Sequence, residues 1–251
     1  MSKNLFRLIL SDIKGAINRD PAARNFLEII FCYSGFHAIL IHRLCNLLWK
    51  IKLKFLARFL SNVARILTSI EIHPAAEIDE GFFIDHGAGL VIGETSQIGK
   101  NVTIYQQATL GGISPSLDSV SQRNLKRHPT IQDNVIVGSG AQILGPIVIG
   151  KNSRIGSNAV VLKDVPENIT YVGIPARKIE SKNLSEAFKA YGMSEGKIDD
   201  PNKKSILALF SEIHNLNEKI TNLKKQLSSS HQSPTSNLKF SDNKNKQRRG
   251  K

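Results

Sequence analysis

The 251-residue chain holds only two cysteines, two methionines and one tryptophan. With so few thiols no disulfide framework organises it, and Cys32 and Cys45 lack the paired spacing of a zinc site. Both fall in apolar helical stretches, where a free cysteine behaves as a small buried hydrophobe. Long apolar runs are also missing. The most apolar, "LEIIFCYSGFHAILIH" (27–42), is broken by Ser34-Gly35 and is too short to span a bilayer. The opening "MSKNLFRLILSDIKG" meets an acidic residue too early for a secretory signal. These absences predict a soluble cytoplasmic protein without a membrane partner. The formal charge is +13, a visible share of it in the last twenty residues, yet no aromatic-rich basic patch or nucleic-acid module accompanies it. The ending "KFSDNKNKQRRGK" therefore reads as a solvated, disordered basic tail over 228–251, and no nucleic-acid partner is expected.

The 41% of hydrophobic residues is arranged in three different rhythms. Residues 1–70 read as a helical N-terminal domain. In "RDPAARNFLEIIFCY", Asp20 is a candidate N-cap with Pro21 at the first helical position. Phe36, Ile39, Leu40, Arg43, Leu44, Leu47 and Leu48 recur at helical spacing, as do Leu56, Phe59, Leu60, Val63, Ile66, Leu67 and Ile70. Such stripes need a partner surface, so the helices are expected to pack on one another and on the chain beyond residue 70.

From 71 to 179 the beat is six. Ile72, Ile78, Ile84, then Ile92, Ile98, Ile104, Leu110, then Ile131, Val137, Ile143, Ile149, Ile155 and Val161 keep it. Gly93, Gly99, Gly138, Gly150 and Gly156 directly follow an apolar member. Four places after a member come Ala76, Ala88, Ser96, Val102, Ala108, Val135, Ala141, Ser153, Ala159 and Val165. A helix drifts off a six-residue beat, because its face repeats every 3.6 residues. Ordinary strands would be weakened by the glycines. A three-sided coil satisfies both facts, with the large aliphatic pointing in, a small residue beside it and glycine easing each corner. Hexapeptide repeats of this kind predict a left-handed parallel β-helix, whose rungs stabilise one another by stacking. The fold class is therefore α+β, helices first and coil second.

The beat fails twice. Ile84 to Ile92 is eight steps, and the two extra residues fall where Asp85 and His86 sit among glycines. A bulge that re-aims side chains is expected there. Residues 112–130 carry no repeat and read as a loop pushed out of the wall; long loops in compact domains are often functional. Further on, within a 180–227 helical segment, Ile206, Leu209, Ile213, Leu216, Ile220, Leu223 and Leu227 alternate three and four apart. Those are heptad positions of a short coiled coil, and Ile at a with Leu at d leans towards two strands.

At "DIKGAINRDPA", "GFHAILIHRLCNLLW", "IEIHPAAEI", "IDHGAGLVIGETSQIG", "QATLGG", "RHPTI", "VGSGAQILG" and "GIPAR", the chain resembles bacterial serine O-acetyltransferase, in order over residues 10 to 180. The resemblance implies acetyl transfer from acetyl-CoA to the hydroxyl of L-serine, giving O-acetylserine for cysteine biosynthesis. His86 then looks like the general base that takes the hydroxyl proton, a role suited to imidazole. The family orients that ring with an aspartate just before "IHPA"; here the position is Glu71, a longer arm. By resemblance Asp20 and Asp85 face the amino and hydroxyl end of serine, and Arg127 and His128 hold its carboxylate, a group that the planar arginine fork binds bidentately. Gly112, Ser139 and Ser157 match small positions along the acetyl-CoA groove, with Arg154 and Arg177 towards the nucleotide phosphates. Family members place their sites between subunits of a trimer, so a homotrimer or a dimer of trimers is implied. They also dock a C-terminal isoleucine into the next enzyme of the pathway, cysteine synthase. This chain ends "QRRGK", which argues against that partnership.

Rival readings share parts of this pattern. Another hexapeptide acetyltransferase, acting on a sugar, antibiotic or polysaccharide, would keep His86 but would not need Asp20 or the Arg127-His128 pair. A metal-dependent carbonic anhydrase on a similar coil needs several histidine ligands, yet His73, His86 and His128 do not pair at ligand spacing, so no metal is expected. A scaffold with a degenerate site would not need the Asp85-His86 pair.

Overall fold

Helix gives way to coil at residue 70, where the apolar period changes. The computed structural model describes residues 4–112, 122–123, 125–179 and 201–230, in two units spanning Met1–Met193 and Ser194–Lys251. In the first, α1 (Leu5–Arg19), α2 (Phe26–Cys32), α3 (Ser34–Lys50) and α4 (Lys54–Thr68) precede the coil. The second contributes α5 (Pro201–Ser230). The expected basic tail lies outside the described residues, apart from its first three positions, which end α5.

Asp20 is not an N-cap. It closes α1 as its C-cap, with extended backbone as a following proline favours, and its Oδ1 accepts the Ala22 N–H at 2.8 Å. Asn25 caps α2 instead, accepting the Glu28 N–H at 3.0 Å, while the Glu28 carboxylate accepts the Arg24 N–H. The expectation of two buried thiols holds for only one: Cys45 is buried, but Cys32 is exposed at the end of a helix that buries only Ile29. The helical stripes are likewise only half covered. Helix α4 packs through Ala57, Ala64 and Thr68, whose small side chains allow close approach, and leaves Phe59, Ile66 and Leu67 exposed.

Charge, not only apolar surface, fastens the helices to the coil. Arg43, read in sequence as a member of an apolar stripe, is buried and forms a bidentate pair with buried Asp12 at 2.7 and 2.9 Å. The same guanidinium donates to the carbonyls of Ile78 and Asp79, and Asp12 accepts the Phe82 N–H. Arg19 spans to Gly81, Asn101, Val102 and Thr103.

The repeat folds as a parallel β-helix with three walls. Wall A joins β1 (Glu71–Ile72), β4 (Val91–Ile92), β7 (Thr109–Gly111), β10 (Gln142–Leu144) and β13 (Val160–Val161). Wall B joins β2 (Glu77–Ile78), β5 (Gln97–Ile98), β8 (Thr130–Ile131) and β11 (Val148–Ile149). Wall C joins β3 (Phe83–Asp85), β6 (Thr103–Tyr105), β9 (Ile136–Val137), β12 (Arg154–Ile155), β14 (Thr170–Val172) and, antiparallel, β15 (Arg177–Lys178). From β1 to β13 successive strands visit A, B and C in turn, so each six-residue step is one wall and its corner; between β13 and β14 wall B is met only by a bridge from Val165 to Ile149.

Every large member of the beat is buried except Ile78, which is partly buried. Of the small slots all are buried but Ala88. That slot belongs to Leu90, because two residues are inserted before it; Phe82, fully buried, fills the corresponding slot one wall earlier. At the corner from B to C, asparagine supplies the left-handed backbone: Asn101, Asn134, Asn152 and Asn168 all have φ between 56° and 59°. Asn134 donates to Asn152 and Asn152 to Asn168, at 3.1 and 3.0 Å, a ladder down the edge. The glycines serve a different purpose. A Cβ at Gly138 would come within 2.6 Å of the Ser157 backbone nitrogen on the next coil. Close stacking of coils, not positive φ, requires glycine there.

Candidate active site

The corner from C to A is where the beat slips. In the other coils one residue takes positive φ there: Gln107, Gly140 and Asn158. After β3 three do so, His86, Gly87 and Gly89. Gln107 N–H donates to Ala88 O, so Ala88 holds the register of the corner and the residues before it loop outwards. Gly87 is pressed inwards, where a Cβ would meet Ile70 Cδ1 at 2.6 Å. His86 is thereby thrown out of the wall with a side chain 76% exposed. Its carbonyl accepts from Ser34 Oγ at the start of α3.

The imidazole Nε2 stands 3.7 Å from Asp85 Oδ1. Asp85 ends β3 opposite Tyr105 in β6 and is hydrogen-bonded to it. Burial raises the Asp85 pKa; His86 lowers it, the charge of Asp20 raises it, and the Tyr105 bond lowers it. Asp20 in turn accepts from Tyr33 Oη at 2.6 Å, and burial together with that bond holds the Tyr33 phenol protonated. Two half-buried carboxylates thus repel each other beside an exposed imidazole, each steadied by a tyrosine. An ammonium between them would relieve that repulsion.

Glu71 is not brought to His86. It lies exposed on β1, and its carboxylate pairs with Arg65 in the last turn of α4 at 3.5 Å. Asp85, not Glu71, is the carboxylate the imidazole meets.

Arg127 and His128 lie at another corner, from A to B, where the extruded loop rejoins the coil before β8. Of this loop, residues 113–121 and 124 lie outside the described residues. Arg127 pairs with Glu94 and donates to the Gln122 carbonyl. Thr95 organises the pair. Its hydroxyl oxygen accepts the N–H groups of Arg127 and His128, each at 3.0 Å. Its own N–H donates to His128 Nδ1 at 3.1 Å, and the hydroxyl reaches the same nitrogen at 2.9 Å. With Nδ1 accepting, a neutral His128 carries its proton on Nε2. Burial, then the Arg127 charge, lowers its pKa to about 4, so the ring is neutral at pH 7. Sequence reasoning assigned Thr95 and Glu94 no role; their place in the quoted "IGETSQIG" stretch was the available signal. Within one chain this arginine-histidine pair and the Asp20-Asp85-His86 group occupy different corners. A groove of about 980 Å³ over wall B, between α1 and α3, is lined by none of them.

The remaining expected residues divide too. Ser139 and Ser157 stack on the same corner as His86, hydroxyls 3.1 Å apart. The corner is continuous: Gln107 donates to Ala88, Gly140 to Gln106, and Asn158 to Ser139. Arg154 and Arg177 lie on wall C, on the strands flanking β14. Gly112 stands apart, beside the Arg127 carbonyl at the root of the loop.

The bacterial transferase hexapeptide (six repeats) family matches residues 128–163. A serine acetyltransferase of Bacillus pumilus is 49% identical over 174 residues, 69% of this chain and 77% of that protein. One from Synechocystis is 44% identical over 220 residues, 88% of this chain and 84% of its own length. The chain belongs to the serine acetyltransferase family. Its fold agrees with solved members of that family. The Neisseria gonorrhoeae serine acetyltransferase in complex with serine matches at TM-score 0.66 and 37% identity, over 71% of this chain and 70% of that one. A serine acetyltransferase in complex with CoA matches at TM-score 0.65 and 39% identity, over 71% of each chain. Helices followed by a hexapeptide coil are thus the family architecture, and acyl transfer is the family chemistry. Among the described residues no single helix is long and apolar enough to cross a membrane.

Proposed function

We propose that the chain acetylates the hydroxyl of L-serine from acetyl-CoA, as a cytoplasmic enzyme of cysteine biosynthesis, with His86 as general base. The observation that carries this reading is the Asp85-His86 pair at the slipped corner. Serine bound with its ammonium against Asp20 and Asp85 brings its hydroxyl towards Nε2, the ring atom nearest the Asp85 carboxylate. Acetyl-CoA supplies the activated acyl group. As the serine oxygen bonds to the acetyl carbon and the carbon–sulfur bond breaks, His86 takes the hydroxyl proton and returns it to the departing thiolate. Such a base contributes typically about 10²–10⁴-fold.

The corner below His86 supports the direction of the co-substrate. From the His86 coil to the Ser157 coil is three steps, about 14 Å at ~4.8 Å per strand, a span suited to an extended pantetheine arm. Arg154 and Arg177 then meet phosphates.

Glu71 orients the imidazole once it leaves Arg65. Both partners of that pair are half exposed, and such pairs hold by only about 0–1 kcal/mol, so the exchange costs little. Serine's carboxylate is taken by Arg127 and His128 Nε2–H of a neighbouring copy in a homotrimer, since one chain keeps the two groups on separate corners.

CoA thiol release with L-serine as acceptor tests the reaction; acetylation of a sugar in place of serine contradicts it. Mixing inactive His86→Ala and Arg127→Ala chains tests the shared site. Random trimers rebuild one intact site in roughly a quarter of interfaces, so about that share of activity returns. A site confined to one chain returns none.

A further inference from the structure

Helix α5 carries an apolar stripe that is exposed among the described residues. Leu209, Ile213, Leu216, Ile220 and Leu223 are 48–62% exposed, and every other side chain described on the helix is exposed as well. Composition does not hold such a helix in water. Its thirty residues include one alanine but four asparagines, Asn202, Asn215, Asn217 and Asn222. Isolated helices are marginal even with good formers, and proteins stabilise them by burying one face. The stripe must therefore be covered, and its three–four spacing is that of a surface built to meet another helix of the same kind.

Charge decides the direction of that partner. With Ile213 and Ile220 at a and Leu209, Leu216 and Leu223 at d, the charged g positions are Glu212 and Lys219, and the e positions are Lys203, Phe210, Asn217 and Lys224. In a parallel pair each g residue faces the e residue five places on in the other helix. Lys219 then meets Lys224 and Glu212 meets Asn217, each twice over by symmetry, which gives repulsion and no attraction. In an antiparallel pair g faces g. Glu212 then meets Lys219 twice over, related by the two-fold axis, which offsets the repulsion between the e residues Lys203 and Lys224, while Ile213 packs on Leu216 and Leu209 on Ile220 in alternating layers. Opposed helix dipoles add to the same preference.

We propose that α5 pairs with α5 of a second copy of this chain as an antiparallel two-stranded coiled coil, in the register that sets Ile213 against Leu216 and Glu212 against Lys219. A two-fold contact added to a three-fold body joins trimers, and pairing all three helices of each closes the assembly at six chains. The contact is independent of the catalytic reading: it holds whichever acceptor the site takes.

Sedimentation of the full chain at low ionic strength tests it. The wild type sediments as the larger assembly, and Leu216→Lys halves its mass while serine acetylation per chain is kept. Lys219→Glu discriminates direction. Across the antiparallel seam it sets acid against Glu212 and weakens association roughly three- to tenfold, whereas in a parallel pair it meets Lys224 and tightens it. The double variant Glu212→Lys/Lys219→Glu restores the wild-type association. Unchanged mass in Leu216→Lys overturns the contact. Unchanged or tighter association in Lys219→Glu, or no recovery in the double variant, overturns the antiparallel register.

Discussion

Thr95 and His128 are locked together by a hydroxyl that accepts two backbone N–H groups and reaches the imidazole Nδ1 at 2.9 Å. One side chain thus fixes the loop's return path and the tautomer of a proposed substrate ligand. Thr95→Val keeps the shape and removes the oxygen, leaving two N–H groups without their acceptor. A loss of about 1–3 kcal/mol in unfolding free energy is expected for such partly buried groups. The KM for serine should rise tenfold or more, with the KM for acetyl-CoA nearly unmoved. Equal rises in both would place Thr95 outside serine binding.

The slipped corner holds a strained backbone, and glycine permits it. Gly87 has φ +87°, and a Cβ there would meet Ile70 Cδ1 at 2.6 Å and Ile84 Cγ2 at 2.7 Å. Gly87→Ala should cost about 2–5 kcal/mol, the sum of a left-handed backbone penalty and overpacking. Denaturant titration reads that loss. Because the residue sits beside His86, acetyl transfer should fall more than stability alone explains at temperatures where the variant is folded.

Much of the fold was legible in the sequence and some was not, for physical reasons. A six-residue beat has few structural solutions, so the inward large residues and the position of the slip could be read directly. What an insertion does to the next slot could not: Ala88 keeps the spacing on paper, yet Leu90 takes the interior. Arg43 looks apolar by position because helical spacing reports which face is buried, and here the buried face holds a salt bridge to Asp12. The Asp20 turn and the Asn25 cap differ only in which of two good capping residues is followed by the helix. Glu71 shows the same limit from the other side. Sequence order aligns it with an orienting residue, while local geometry lends its carboxylate to Arg65.

That pair makes its own prediction. If Glu71 steadies the imidazole during turnover, Glu71→Gln should lower kcat tenfold or more with KM for serine nearly unchanged. Arg65→Ala, which only frees the carboxylate, should leave kcat at or slightly above wild type. A matched loss of kcat in both variants would assign the residues a structural role instead.

Three histidines make the fold sensitive to acid. Burial first, then neighbouring cations, lowers His42 to about 3, and burial, then Arg58 or Arg127, lowers His73 and His128 to about 4. The unfolded chain binds protons at these sites near pH 6.5 while the folded chain does not, so stability rises with pH through that window. It should be fully present above about pH 6.5 and fall progressively towards pH 4. Denaturation midpoints between pH 4 and 7.5 check this, and a midpoint that is flat or rises on acidification would contradict the assigned burial.

The most direct test of the proton-accepting imidazole is acetyl transfer to serine by His86→Ala, measured as CoA thiol release across pH. The expected kcat is lower by about 10²–10⁴-fold, with the fold intact. Transfer at the wild-type rate would contradict a proton-accepting role for the imidazole at the slipped corner.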